Sequence, residues 1–184
     1  MRTAGMGIRM AEKAIFAGGC FWCTEATLRK VPGVLNVISG YTGGPPATAN
    51  YEDVCEGESG HVEAIEITFD PAQISYEILL ESFWREIDPT DTGGQFADRG
   101  SQYETAIFYL NEAQKAAAEA SRERLQKSGV FNQPIRTKIL PAQPFYPAED
   151  YHQNYAQKNP LHYKQYRTGS GRELFLKKMW CERK

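Results

Sequence analysis

At 184 residues, with 41% apolar residues and a formal net charge of −2, the chain can fill one ordinary core and carries no basic excess that would mark a nucleic-acid binder. No apolar run approaches the roughly 18 residues of a membrane-spanning helix, and Met1 to Met10 lacks the apolar centre of a secretory signal. A reducing cytoplasm is therefore the expected compartment, with neither nucleic acid nor membrane among the partners, and Met6 and Met10 leave the translation start open.

Residues 1–12 are expected to form a poorly ordered extension, and residues 13–184 one domain that includes the C-terminal tail. Lys13 to Ala17 reads as a short apolar strand, broken by Gly18-Gly19. Cys20 to Lys30 reads as a helix that stops before Pro32-Gly33, and Val34 to Tyr41 as a second strand. Thr42 to Asn50, with Gly43-Gly44-Pro45-Pro46, is a loop, and Tyr51 to Gly60 is irregular or one helical turn. His61 to Phe69 alternates as a third strand. Ser75 caps a helix with an apolar stripe of Tyr76, Leu79, Leu80, Phe83, Trp84 and Ile87. Asp88 to Gly100 is a long polar loop and Gln102 to Leu110 a fourth strand. Asn111 and Gln114 open a helix that ends near Gly129, and Ile135 to Leu140 suits an added strand. Pro141 to Trp180 has weak periodicity and reads as a wrapping tail with short helical pieces.

The order up to residue 110 predicts an α+β fold of the ferredoxin-like, split βαβ plait type. It has an antiparallel sheet in the order fourth-first-third-second strand, two helices on one face, and a long, mostly irregular C-terminal tail. Such a plait brings Cys20 to one sheet edge with His61 to Glu63, Asp98 to Tyr103 and the loop bearing Tyr51.

Cys20 and Cys23 stand one helical turn apart at a predicted helix start. That position favours negative charge and can lower a thiol's pKa, and the preceding glycines leave room beside the sulfur. An inert buried cysteine is the alternative for Cys20, and half of a zinc site the alternative for the pair. Zinc wants about four ligands, and Cys55, Cys181, His61, His152 and His162 form no metal-spaced set, so no metal is expected. Phe21 and Trp22 suit either the core or the wall of an apolar substrate pocket. Glu63 shares the strand parity of Ile65, Ile67 and Phe69, so it either is desolvated and raised in pKa, as a proton donor would be, or reaches water at the strand end. Tyr51, Asp98 and Tyr103 are each structural taken singly; together around one thiol they suit a polar oxygen. His61 lacks an orienting partner for a cysteine–histidine hydrolase.

Gly19-Cys20-Phe21-Trp22-Cys23-Thr24-Glu25 resembles the signature of the A-type peptide methionine sulfoxide reductases. Similar segments follow in the same order: Gly40 to Gly44, Tyr51 to Cys55, Gly60 to Glu63, Asp88 to Thr90, Asp98 to Tyr103, and Pro144 to Gln153. The resemblance implies reduction of the S epimer of methionine sulfoxide, free or in proteins, without a cofactor. It implies Cys20 as nucleophile, Glu63 as proton donor, Tyr51 and Tyr103 as hydroxyls on the sulfoxide oxygen, Phe21 and Trp22 as the wall for the substrate methyl, and Asp98 as a polar pocket residue. It also implies recycling through a disulfide by a thioredoxin-like partner.

The chain departs from the common family pattern at Ile87, where many members have His, at Gln95-Phe96-Ala97 and at Glu104. Its tail has Thr168-Gly169-Ser170-Gly171, without the recycling cysteines many members place there. Cys23 is the expected resolving cysteine, Cys181 its rival if the glycine-containing segment swings, and Cys55 a packed thiol. A general thiol–disulfide oxidoreductase and a metal-binding or interaction module are the other functions the cysteines allow.

Overall fold

The structure, a computed structural model, describes residues 10–181. Residues 1–9 of the expected extension, and 182–184, lie outside the described residues; regular structure begins with β1 (Glu12–Gly18). There follow α1 (Phe21–Leu28), β2 (Val34–Thr42), α2 (Tyr51–Cys55), β3 (Val62–Phe69), α3 (Tyr76–Trp84), β4 (Gly94–Gln95), β5 (Asp98–Arg99), β6 (Thr105–Tyr109) and α4 (Glu112–Lys127). The remainder forms β7 (Lys138–Pro141), β8 (Phe145–Pro147), α5 (Tyr155–Lys158), α6 (Pro160–Gly169) and α7 (Arg172–Trp180).

The antiparallel plait is corrected by the sheet itself, which has six strands in the order β7-β6-β1-β3-β2-β8 and is mixed. Its inner four strands pair antiparallel, but β7 lies parallel to β6. The reason is α4, which follows β6 and carries the chain back along the sheet, so the returning strand runs the same way. β8 then adds antiparallel to the free edge of β2. The two edge strands are separated in sequence only by residues 142–144. Four such steps reach about 14 Å, whereas a flat six-stranded sheet is roughly 24 Å across. The sheet therefore has to curl, and it forms a half-barrel.

β1 is buried on both faces from Ala14 onward, as a central strand must be. Ala14 and Phe16 join the main core under α1, α3 and α4, while Ile15 and Ala17 meet Ala64, Ala106 and Phe108 inside the curl. The expected stripe of α3 is buried at Tyr76, Leu79, Leu80, Phe83 and Trp84. Ser75 accepts from the Ile78 N–H, and Asn111 caps α4 through the Gln114 N–H at 2.9 Å. Asn50 caps α2 in the same way, where one helical turn was among the expectations.

The irregular tail is also corrected. Residues 155–180 are mostly helical, yet no residue of α5 or α6 is fully buried, and α7 buries only Arg172. These helices lack the buried apolar stripe that betrays a helix in sequence. What holds them is polar and aromatic contact with the body of the protein.

Candidate active site

Cys20 is the N-cap of α1, directly after β1, and is buried with 6% exposure. The turn before it depends on its glycines. A Cβ on Gly18 would sit 2.5 Å from Thr24 Cγ2, and one on Gly19, which has φ +78°, would sit 2.5 Å from Gln95 Cβ. The space beside the sulfur that Gly-Gly suggested is thus occupied by protein rather than left open. Gln95 is fully buried there; its side-chain carbonyl accepts from the Asp88 N–H at 2.9 Å and its side-chain amide donates to the Asp88 carbonyl at 2.8 Å.

Cys20 and Cys23 share a hydrogen bond between their sulfurs. Burial pushes the Cys20 thiol well up, and the adjacent Cys23 adds to the rise. Cys23 is pushed down to about 7, first by the hydrogen bond from Cys20 and, against its own burial, by the charges of Arg172 and Arg167. Within the pair, Cys23 is thus the thiol pushed down and Cys20 the one pushed up.

Glu63 is 3% exposed, and its Oε2 accepts from the Phe21 N–H at 2.9 Å. Burial pushes its carboxyl up to about 8, against that hydrogen bond, so it is largely protonated at neutral pH. The buried alternative for this residue is the one the fold adopts. Asp98 is also pushed up by burial, and its carboxylate accepts from the Tyr166 hydroxyl. Tyr103, pushed up by burial, feels the charges of Glu63, Cys55, Asp98 and Cys20, which places it among them. Tyr51 faces Glu63 as well, although its hydroxyl hydrogen-bonds the Cys55 thiol.

Phe21 and Trp22 have different places. Phe21 is 1% exposed and packs on Tyr41 and His152, with ring centroids 5.8 and 5.0 Å away. Trp22 is half-buried; its ring stacks on Tyr155 at 3.8 Å, and its indole N–H donates to His152 Nδ1 at 3.1 Å. His61 is used structurally: Nδ1 accepts from the Gly44 N–H and Nε2 reaches the Pro45 carbonyl at 2.9 Å.

Sequence reasoning missed the contribution of the tail. Tyr166, on α6, hydrogen-bonds both Cys20 and Asp98. Arg167 forms two hydrogen bonds to Glu86, at 2.6 and 3.1 Å. Arg172, 1% exposed, donates to the Glu86 carbonyl at 2.7 Å and the Gly18 carbonyl at 3.1 Å. The tail reads only as rich in Tyr, Pro and Gly, a composition that signals none of these contacts. Cys181 is exposed at the end of α7, where the neighbouring Trp180 packs on Phe131 and under Arg85. The glycine-containing segment before α7 is the turn that seats Arg172.

Among the described residues, no group of three or more His, Cys, Asp or Glu side chains is placed to hold a metal ion, and no helix is long and apolar enough to cross a membrane. The arrangement offers a thiol pair of unequal acidity, a buried protonated carboxyl beside it, and three phenols.

A family model described as peptide methionine sulfoxide reductase matches residues 12–184. The chain is similar to peptide methionine sulfoxide reductase MsrA of Bacillus subtilis (strain 168), 57% identical over 174 residues that cover 93% of this chain and 98% of the relative. It is 50% identical over 169 residues to peptide methionine sulfoxide reductase MsrA 2 of Staphylococcus aureus (strain MW2), covering 92% and 96%. Among solved structures, Mxr1 from Saccharomyces cerevisiae in reduced form superposes with a TM-score of 0.77 at 31% identity, over 82% of this chain and 86% of that one. The same yeast protein in complex with Trx2 superposes with a TM-score of 0.55 at 25% identity, over 79% and 85%.

Proposed function

We propose, from the premise that the chain belongs to the peptide methionine sulfoxide reductase family, a division of labour among its own residues. The protein is an oxidoreductase that uses thiols to reduce methionine sulfoxide to methionine. In our reading residues 13–184 act as one catalytic unit, and the substrate is the S epimer, free or in proteins.

Cys20 attacks the sulfoxide sulfur as a thiolate while Cys23 takes the proton the two sulfurs share. Glu63 delivers its own proton to the sulfoxide oxygen, which the hydroxyls of Tyr51 and Tyr103 hold. Methionine leaves, and Cys20 carries the oxygen as a sulfenic acid. For Tyr51, this means exchanging its hydrogen bond to Cys55 for one to the substrate. Trp22, fixed by His152 and Tyr155, and Phe21 behind it form the wall for the methyl group, and Asp98 with Tyr166 borders the reacting sulfur.

Cys23 then attacks Cys20. The S–O bond breaks, the Cys23 proton leaves with the hydroxide as water, and a disulfide forms. A thioredoxin-like dithiol reduces it by exchange; the yeast relative was solved with Trx2 bound. Cys23 is favoured over Cys181 because its sulfur already contacts that of Cys20, while Trp180 holds the end of α7 against Phe131 and Arg85. The adjacent free thiols suit a reducing cytoplasm.

The observation that carries the residue assignment is Glu63: a buried carboxyl, protonated near neutrality, bonded to the backbone N–H that follows Cys20. Dithiothreitol-driven reduction of resolved R and S methionine sulfoxide tests the whole. Turnover of the S epimer alone, lost in Cys20→Ser, is expected; equal turnover of both epimers, or an active Cys20→Ser, contradicts it.

A further inference from the structure

The Gln95-Phe96-Ala97 loop and the start of α7, remote in sequence, meet in space. Phe96, from the altered loop, lies under the Arg172 guanidinium at 4.7 Å and against Phe175 of α7 at 5.4 Å. Arg172 is thereby seated behind the Gly18-Gly19 turn, bonded to the Gly18 carbonyl, and its guanidinium comes 3.1 Å from where a Gly19 Cβ would stand.

The other members of the cluster approach α1 from the same side. Thr27, one turn after Cys23 on the same face, donates to Glu86 Oε2 at 2.9 Å. Glu86, 2% exposed, is held by Arg167 at 2.6 Å and lies 3.5 Å from Arg172. Two guanidinium charges against one carboxylate leave one net positive charge under the helix. Cys23 lies on the Thr27 face of α1, toward this cluster, and its sulfur feels both guanidinium charges, while Arg172 also acts on Asp98.

We propose that Arg167 and Arg172 are positioning residues of the recycling step: with Glu86 they form a buried cationic seat that holds the negative charge of the Cys23 sulfur. This rests on Cys23 being the resolving cysteine. The seat acts twice. When Cys23 attacks the Cys20 sulfenic acid, it eases loss of the Cys23 proton to the departing hydroxide. When a dithiol reductant attacks the more accessible Cys20 sulfur, it makes Cys23 the better leaving thiolate, because a lower-pKa thiol leaves faster. The depressed pKa of Cys23, assisted by both arginines, agrees with this.

The test uses the full chain with one equivalent of methionine sulfoxide and no reductant, from pH 6 to 9.5. Methionine release reads the first step; loss of alkylatable thiols reads the second. An opposite charge shifts a neighbouring pKa by about one to three units. Arg167→Gln should therefore move the midpoint of disulfide formation up by about one pH unit, slowing that step about fivefold at pH 7 relative to methionine release. Arg167→Lys should restore it. Glu86→Gln should move the midpoint down, and if Arg167→Gln does not fold, Glu86→Gln and Arg167→Lys still read the charge. Packing damage has no reason to shift the two midpoints in opposite directions, so an unmoved midpoint, or shifts of the same sign, overturns the proposal. Peptide mapping of the parent's disulfide is read separately: a Cys20–Cys181 bridge overturns the role of Cys23 itself, whatever the midpoints do.

Discussion

The Glu63 carboxyl accepts a 2.9 Å hydrogen bond from the backbone N–H of Phe21, the residue after Cys20. The acid is thus tied to the same turn that carries the thiol, and a movement of one carries the other.

Glu63 sits in the fold at a cost. Its folded pKa, about 8, lies above the unfolded value near 4.5. The folded state favours the protonated form, so stability is fully present below pH 4.5 and is lost as pH rises toward 8. Glu63→Gln keeps the acceptor for Phe21 but never ionises. It should be more stable than the parent at pH 7 by up to about 3 kcal/mol, with little difference at pH 4.5. It should also lose roughly 10²–10⁴-fold in the rate of methionine release. Urea unfolding at both pH values and single-turnover kinetics read this, and a variant as fast as the parent would end the proton-donor role.

Cys20→Ala should be inactive and should report on the pair. The hydrogen bond from Cys20 is the main influence lowering the Cys23 thiol. Removing it should move the pH midpoint of Cys23 alkylation upward from about 7. Cys23 alkylation with an unchanged midpoint would show that the two sulfurs titrate independently.

Tyr166 touches Cys20 and Asp98 with one hydroxyl. Hydrogen bonds to charged groups are worth about 1.5–3 kcal/mol, so Tyr166→Phe should slow methionine release by roughly ten- to a hundredfold. Its ring contact with Trp22, at 5.7 Å, can remain, and the fold should be kept. Full-rate methionine release in a folded Tyr166→Phe would remove the hydroxyl from the chemistry.

His152 is pushed down by burial, opposed by Glu149, and its Nδ1 accepts from Trp22. Its neutral form is the folded one, so stability is full above the unfolded pKa of about 6.5 and falls as pH drops below it. His152→Gln retains an acceptor for Trp22 and cannot gain a proton. The decline in unfolding free energy between pH 6.5 and 5 should be shallower in that variant; an identical slope would place the acid sensitivity elsewhere.

Several of these residues were legible in the sequence for physical reasons. The parity of β3 separated Glu63 from Glu66, and the Gly-Gly break located Cys20 at a helix start. The stripe of α3 and the order of the inner four strands followed from periodicity and connection rules. The added strand expected at Ile135 to Leu140 overlaps β7, though its parallel pairing was not legible, and β8, three residues long, carries too little alternation to read. Tyr166, Arg167 and Arg172 were hidden for a different reason. Hydrophobic patterning reports apolar burial, and these residues are held by Asp98, Glu86 and the Gly18 carbonyl, partners that only the folded chain supplies.

The hydrogen bond from Arg172 to the Gly18 carbonyl joins positions 154 residues apart. A ribosome therefore extrudes both reactive cysteines long before it makes the side chain that grips their turn. Until then Cys20 and Cys23 travel as ordinary thiols on a growing chain, without Tyr166 above or the guanidinium behind. Contacts of such sequence separation form late, after the loop-closure entropy has been met. The reactive centre is then completed only once α6 and α7 have been made, and a chain cut short before α6 should carry its cysteines without the residues that tune them.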